Sequence, residues 1–212
     1  MKIVILLFDN YTALDIVGPY EVLARIPDSE ILFVAEKKGI YKDRYGLGLS
    51  VEHSIDEISS ADVLLIPGGG GINELVENHK ILDWVIEMDK HTEWTTSVCT
   101  GSLLLGAAGL LKNKKATTYW KRISQLKEYT AVPVESRYVQ DGKIITSAGV
   151  SAGIDMALFL VSKMLGEKTA KAIQVQIEYD PMPPFGSINS KNVSTDILDL
   201  VINAPGKLNK HN

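Results

Sequence analysis

Short, uninterrupted apolar segments recur along the first half of the chain and constrain its fold most. They occupy residues 3–8, 31–35, 63–66 and 94–98. Strands that are apolar on both faces are typical of a parallel sheet covered by helices on each side. Helical patterns lie between and after these segments, at residues 16–24, 81–88, 100–108, 119–128, 153–165 and 168–178. The alternation predicts an α/β fold with a mainly parallel sheet.

A β-hairpin is predicted to extend this sheet. Residues 134–139 and 143–147 are strand-like and flank Gln140-Asp141-Gly142, an Asp-Gly turn signal. Beyond Asp180 the prolines forbid regular structure until a last helix, which is predicted over residues 194–202. We expect one domain over residues 1–202 and a frayed tail over residues 203–212.

Charge and cysteine content limit the partners and the cellular location. The net charge of −4, from 22 basic and 26 acidic residues, argues against broad binding to nucleic acid. The first apolar segment is too short for a signal peptide or a membrane span. A single cysteine allows no internal disulfide framework. We therefore expect a cytoplasmic protein that binds neither membrane nor nucleic acid.

The single cysteine, Cys99, follows a predicted strand and precedes a predicted helix. The strand Trp94–Val98 runs directly into it, and the helix is predicted to begin at Thr100. Ser97 and Gly101 keep this sharp turn free of large side chains, which is the layout of a nucleophile elbow. Because N–H groups at a helix N-terminus stabilise a thiolate, we expect a reactive Cys99 with a lowered pKa. The alternative is a buried, inert thiol.

Two other segments should meet Cys99, since the carboxyl ends of parallel strands share one edge of the sheet. Asp15 follows the first strand, where it either caps a helix or faces the crevice as an acid. The glycine run 68–71 follows the third strand, and its main chain can approach a ligand and present N–H groups. The candidate N–H donors are Gly69, Gly70 and Thr100.

The sequence carries no recognisable nucleotide or metal motif. The glycine run lacks both the Gly-Lys-Ser/Thr ending of a phosphate-binding loop and the third glycine of a dinucleotide motif. No two of the 4 histidines have metal-ligand spacing, and none lies near Cys99 in the sequence. We predict no metal, no cofactor and a small-molecule substrate.

Several motifs together resemble those of the DJ-1/PfpI superfamily, over nearly the whole length from Ile3 to Phe185. They lie at residues 14–19, 66–70, 97–102, 116–120 and 148–155. Within the superfamily the chain most resembles the isonitrile hydratase branch, to which it is similar in S-V-C-T-G-S and in residues 177–185. It departs from many relatives at Tyr119, where they carry a histidine in A-T-T-H-W, and it has Thr100 where the peptidase branch commonly has a histidine.

The resemblance implies a flavodoxin-like three-layer sandwich, a homodimer, and Cys99 as a nucleophile with Asp15 as its acidic partner. The pocket-lining candidates are Ile16, Trp120 and Val150. The implied activity is the hydration of an isonitrile to an N-substituted formamide. Two alternatives stay open: glyoxalase- or deglycase-like chemistry on small dicarbonyls, and a non-catalytic redox sensor that uses Cys99.

Overall fold

The predicted apolar segments form the middle of one seven-stranded sheet. The structure is a computed structural model that describes residues 1–203. Its strands are β1 (Lys2–Leu6), β2 (Glu30–Ala35), β3 (Gly39–Lys42), β4 (Gly48–Val51), β5 (His53–Ser54), β6 (Val63–Ile66), β7 (Trp94–Val98), β8 (Lys115–Ala116), β9 (Val132–Pro133), β10 (Tyr138–Asp141) and β11 (Ile144–Ser147).

The strand order of the sheet is β10-β11-β7-β6-β1-β2-β5. All neighbouring strands run parallel except β10 and β11. These two strands form the predicted antiparallel hairpin, with Gly142 at φ 63° in the turn. The first hairpin strand begins later than predicted, at Tyr138, because residues 134–137 lie outside any strand. The predicted α/β fold with a mainly parallel sheet and an added hairpin is confirmed.

Two further strand pairs have no clear signal in the sequence. β3 pairs with β4 in antiparallel fashion, and β8 pairs with β9. Each strand has only two to four residues, and most of them are exposed or half-buried. Because strands of this kind need no continuous apolar segment, periodicity does not reveal them.

Helices follow most of the sheet strands. They are α1 (Ala13–Leu23), α2 (Ile72–Leu75), α3 (His79–His91), α4 (Gly101–Ala107), α5 (Ala152–Leu165), α6 (Glu167–Gln176) and α7 (Thr195–Asn203). α1 packs against α5, which also packs against α6, whereas α4 packs against α2 and α3. Helices α1 to α6 therefore form two groups that flank the sheet in the flavodoxin-like arrangement.

The first helix starts earlier than predicted. It begins at Ala13, so its N-cap is Thr12 and Pro19 lies inside the helix rather than in its first turn. Proline has no N–H, so the helix lacks the hydrogen bond to the main-chain oxygen of Asp15. The longer helix places the Asp15 side chain in its first turn, facing the interior.

The helix predicted over residues 119–128 is present as 3₁₀ turns over Trp120–Tyr129. Its apolar side chains recur every third residue, at Trp120, Ile123, Leu126 and Tyr129. A spacing of three residues aligns side chains on one face of a 3₁₀ helix, which has three residues per turn. The main-chain N–H of Arg122 accordingly bonds to the oxygen three residues before it.

Contacts divide the chain into two compact units, Met1–Glu178 and Tyr179–Asn212. The first unit contains the sheet, and the described part of the second contains α7, in which Ile197 and Ile202 are exposed. The single domain over residues 1–202 stays a prediction. Apart from Asn203, which ends α7, the predicted frayed tail lies outside the described residues. Within residues 1–203, every helix is too short or too polar to cross a membrane.

Candidate active site

Cys99 lies in the tight turn predicted between β7 and α4. Its φ of 56° is in the left-handed region, which is unusual for a residue with a side chain. The Cys99 N–H donates to the main-chain oxygens of Ser147 and Ala148, at 3.1 and 3.2 Å. The strand, turn and helix of a nucleophile elbow are therefore present, and the backbone strain lies at the thiol.

Two glycines make this turn sterically feasible. A Cβ at Gly101 would lie 2.2 Å from the main-chain oxygen of Ile66. A Cβ at Gly68 would lie 2.6 Å from the main-chain nitrogen of Thr100 and 2.8 Å from Cβ of Cys99. The small residue predicted two positions after the cysteine is thus required, because the elbow touches the end of the neighbouring strand β6.

The main-chain oxygen of Cys99 is also held in place. Oγ1 of Thr118 donates to it at 2.9 Å, and Oγ of Ser102 donates to it at 3.3 Å. The adjacent Thr117 N–H donates to Oγ1 of Thr146 at 2.8 Å. Reasoning from the sequence missed the role of Thr118, although the motif at residues 116–120 points to this segment.

Asp15 is a buried partner of Cys99. It has no solvent exposure, and its Oδ2 accepts a hydrogen bond from the Gly68 N–H at 2.9 Å. Among residues 1–203, Oδ1 accepts no hydrogen bond. The carboxyl lies close enough to Sγ of Cys99 for each group to alter the pKa of the other. Because the N-cap is Thr12, the alternative that Asp15 caps the helix is wrong.

Burial raises the pKa of both groups. Loss of solvent raises the pKa of Asp15 from 3.8 to about 7, against the lowering effects of the Gly68 N–H and of Cys99. Burial, and then the negative charge of Asp15, raise the pKa of Cys99 from 9.0 to about 12. The main-chain N–H groups of Thr100 and Val150 lower the Cys99 pKa, but they do not outweigh the burial.

The expectation of a low thiol pKa is therefore wrong. The sequence showed the helix N-terminus but not the depth of the site, where Cys99 is only 6% exposed. At neutral pH the thiol keeps its proton, whereas the nearby carboxyl of Asp15 is close to half-protonated. The pair therefore consists of a protonated thiol beside a carboxyl that can accept or donate a proton near neutral pH.

The structure divides the predicted N–H donors. The Gly69 N–H donates to Oγ1 of Thr100 at 3.0 Å, so it is already used within the protein. Gly70 is exposed. The Thr100 N–H faces Sγ of Cys99. The role of these three groups towards a substrate stays a prediction. Gly68 belongs to the same glycine run but was not among the predicted donors, and its N–H donates to Asp15.

The pocket candidates differ in exposure. Ile16 is fully buried, Val150 is half-buried at φ 50°, and Trp120 is 37% exposed. The half-buried Tyr119 lies beside Trp120, with their rings edge-to-face at 5.8 Å, and is close enough to Cys99 for a charge there to raise its pKa. The structure thus brings Val150 and Tyr119 to the thiol, and the wall formed by Ile16 and Trp120 stays a prediction.

No metal centre is evident at this site. Within the described part of the chain, no three His, Cys, Asp or Glu side chains are grouped so that they could hold a metal ion. The groups available for chemistry at this site are a thiol, a carboxyl with a pKa of about 7, and main-chain N–H groups that lower the thiol pKa.

The chain combines a flavodoxin-like fold, a cysteine in a strained elbow and a buried acidic residue near that cysteine. Together these features define the class of protein to which it belongs. The family model of the DJ-1/PfpI family matches residues 1–163, and the chain belongs to this family. It is similar to isonitrile hydratase from Pseudomonas putida, with 39% identity over 199 residues that cover 94% of this chain and 87% of the relative.

The chain is also similar to a deglycase and to a solved structure. Deglycase PfpI from Pyrococcus furiosus is 26% identical over 121 residues, which are 56% of this chain and 72% of that protein. Among solved structures, a THiJ/PfpI family protein from Pseudomonas syringae superimposes with a TM-score of 0.92 at 32% identity. That match covers 95% of this chain and 84% of the other.

Proposed function

We propose that this protein hydrates an isonitrile to an N-substituted formamide, with Cys99 as the nucleophile and Asp15 as the proton carrier. The buried pair of thiol and carboxyl is the observation that carries the proposal, because the reaction needs one sulfur nucleophile and one movable proton. The similarity to isonitrile hydratase over most of the chain supports the choice of substrate.

In the first step the Cys99 thiol adds to the isonitrile carbon. The Asp15 carboxylate takes the proton from Sγ, the sulfur forms a bond to carbon, and the same proton then passes from Asp15 to that carbon. The product is a thioimidate, R–N=CH–S–Cys99, beside an ionised Asp15. A carboxyl with a pKa of about 7 suits both transfers, since acid–base catalysis is most effective near the working pH.

In the second step water adds to the thioimidate. Asp15 takes a proton from the water molecule as the water oxygen bonds to the thioimidate carbon. Asp15 then gives that proton to the thioimidate nitrogen. Asp15 next takes the proton of the new hydroxyl, the carbonyl forms, and the carbon–sulfur bond breaks. The proton finally returns to sulfur, which releases the formamide and restores Cys99 and Asp15.

Main-chain N–H groups would stabilise the charge that appears on sulfur or on the adduct. Thr100 is the best placed of the proposed donors, because its N–H faces Sγ of Cys99. Gly70 is an exposed second donor. Gly69 is the weakest of the three candidate donors, since its N–H already donates to the Thr100 side chain.

A turnover assay tests the proposal. Wild type, Cys99→Ala and the exposed control Asp83→Asn are incubated with a small isonitrile and, separately, with methylglyoxal. We expect wild type and Asp83→Asn to form the formamide and Cys99→Ala to form none. Consumption of methylglyoxal without formamide would replace the proposal by the dicarbonyl alternative, which the deglycase relatives favour.

The third alternative, a redox sensor, is less well supported. Peroxide reacts with the thiolate, and the raised pKa of Cys99 leaves little thiolate at neutral pH. No turnover of either substrate, together with rapid oxidation of Cys99 by peroxide, would favour the sensor.

We also propose that the protein forms a homodimer, as the family resemblance implies, and that it is cytoplasmic, as its single cysteine predicts. Sedimentation at micromolar concentration tests the assembly against the monomer mass of 23.2 kDa. A single species with that mass would contradict the dimer.

A further inference from the structure

Tyr119 lies beside the turn that holds Cys99 but has no part in the proposed reaction. It follows Thr118, whose hydroxyl holds the main-chain oxygen of Cys99. Its ring packs against Gly149, where an added Cβ would lie 2.8 Å from Cδ2 of the tyrosine. The residue after Gly149 is Val150, whose N–H faces the sulfur. Tyr119 is therefore bracketed by two segments that both contact Cys99.

The phenol of Tyr119 has a hydrogen to donate. The indole of Trp120 lies edge-to-face with the ring at a centroid distance of 5.8 Å. Burial, and then a charge on Cys99, raise the Tyr119 pKa above its ordinary value of 10.0, so the phenol stays protonated at neutral pH. Among residues 1–203, no acceptor takes the hydrogen of this hydroxyl.

Packing alone accounts for an aromatic ring at this position but not for its hydroxyl. The contacts with Gly149 and Trp120 would be made equally by phenylalanine. A half-buried hydroxyl that donates to no described residue is suited to donate to a ligand.

We propose that Tyr119 is a further catalytic residue, whose phenol O–H donates a hydrogen bond to the nitrogen of the thioimidate while water adds to its carbon. The inference rests on the proposed hydration. Water addition places negative charge on that nitrogen until Asp15 returns the proton, and a donor aimed at developing charge lowers the barrier. The phenol keeps its own proton throughout, so the proton balance of the reaction is unchanged.

Tyr119→Phe is the variant that isolates the hydroxyl. Its matched control is Tyr129→Phe, because the ring of Tyr129 also packs against a glycine, Gly106. Burial and Glu128 raise the pKa of the Tyr129 phenol, and Cys99 has no part in that shift. Both variants and wild type are assayed for kcat and KM on a small isonitrile. Intact-mass spectrometry during turnover measures the thioimidate on Cys99, and thermal unfolding checks the fold.

We expect kcat of Tyr119→Phe to fall by about 10²-fold, the usual effect of removing one donor to a developing anion. Because only the second step slows, KM should fall with kcat, kcat/KM should change little, and the thioimidate should accumulate. Tyr129→Phe should behave as wild type. A lost hydrogen bond to free substrate would raise KM instead, and a disturbed fold would lower kcat/KM and the melting temperature.

The outcomes separate this inference from the proposed function. If wild type hydrates the isonitrile and Tyr119→Phe has an unchanged kcat, the role of Tyr119 is overturned and the proposed hydration stands. A loss of kcat/KM without accumulated thioimidate would overturn it as well. A wild-type enzyme that forms no formamide would overturn the proposed function and, with it, this role.

Discussion

Asp15→Asn tests the buried pair most directly. The substitution preserves the size of the side chain and the oxygen that accepts the Gly68 N–H, but it removes the charge and the movable proton. If Asp15 carries the proton in both steps, turnover of an isonitrile should fall by roughly 10²–10⁴-fold. The free energy of unfolding of Asp15→Asn should rise above that of wild type, because the ionised Asp15 carboxylate is buried with no solvent exposure.

The magnitude follows from the raised pKa. In the folded state the Asp15 pKa is about 7, against 3.8 for the free group, so ionisation is disfavoured by folding. This difference corresponds to about 4 kcal/mol. The destabilisation is absent below pH ~4, where the carboxyl is protonated in both states, grows between pH ~4 and 7, and is complete above the folded pKa. Asp15→Asn should therefore gain up to about 4 kcal/mol over wild type at pH 8.

The assay is urea unfolding of both proteins at pH 4.5 and at pH 8, with turnover measured on the same samples. The exposed Asp83 on α3 provides the control Asp83→Asn, which should leave both quantities near the wild-type values. A stability difference between Asp15→Asn and wild type that does not depend on pH would refute the raised pKa. Near-normal turnover of Asp15→Asn would remove Asp15 from the mechanism.

Three further predictions concern the elbow. Iodoacetamide should label Cys99 slowly at neutral pH and faster in Asp15→Asn, because the carboxylate charge raises the thiol pKa; slower labelling would contradict this. Thr118→Val, which loses the bond to the Cys99 oxygen, should cost about 1–3 kcal/mol in urea unfolding and lower kcat. Gly101→Ala should prevent normal folding, as judged by circular dichroism and solubility, since its Cβ would lie 2.2 Å from a main-chain oxygen of β6. Gly70→Ala, with no contact closer than 3.8 Å, should fold normally, and equal tolerance at both glycines would refute the steric argument.

The sequence by itself determined the central sheet and the elbow. Continuous apolar segments such as Val63–Ile66 can be buried on both faces only in a covered parallel sheet, so their structure follows from local composition. The turn at Cys99 is equally local, because a buried strand, a small residue and a helix follow one another within a few positions. These features were predictable because neighbouring residues decide them.

Local sequence patterns did not determine every element of the fold. The three-residue spacing from Trp120 to Tyr129 is compatible with an α-helix or a 3₁₀ helix, and the structure has the 3₁₀ helix. The short strands β8 and β9 form because the segments that contain them are brought together, and neither has an apolar pattern of its own.

Only the tertiary structure decided the electrostatics of the site. Asp15 and Gly68 are 53 residues apart in the chain, and their hydrogen bond exists because β1 and β6 are adjacent in the sheet. The pKa of Cys99 depends on how much solvent the whole fold removes and on the charge of Asp15, and both outweigh the main-chain N–H groups that the sequence revealed. Desolvation is a sum over atoms from distant segments, so a motif can identify a thiol but cannot set its pKa.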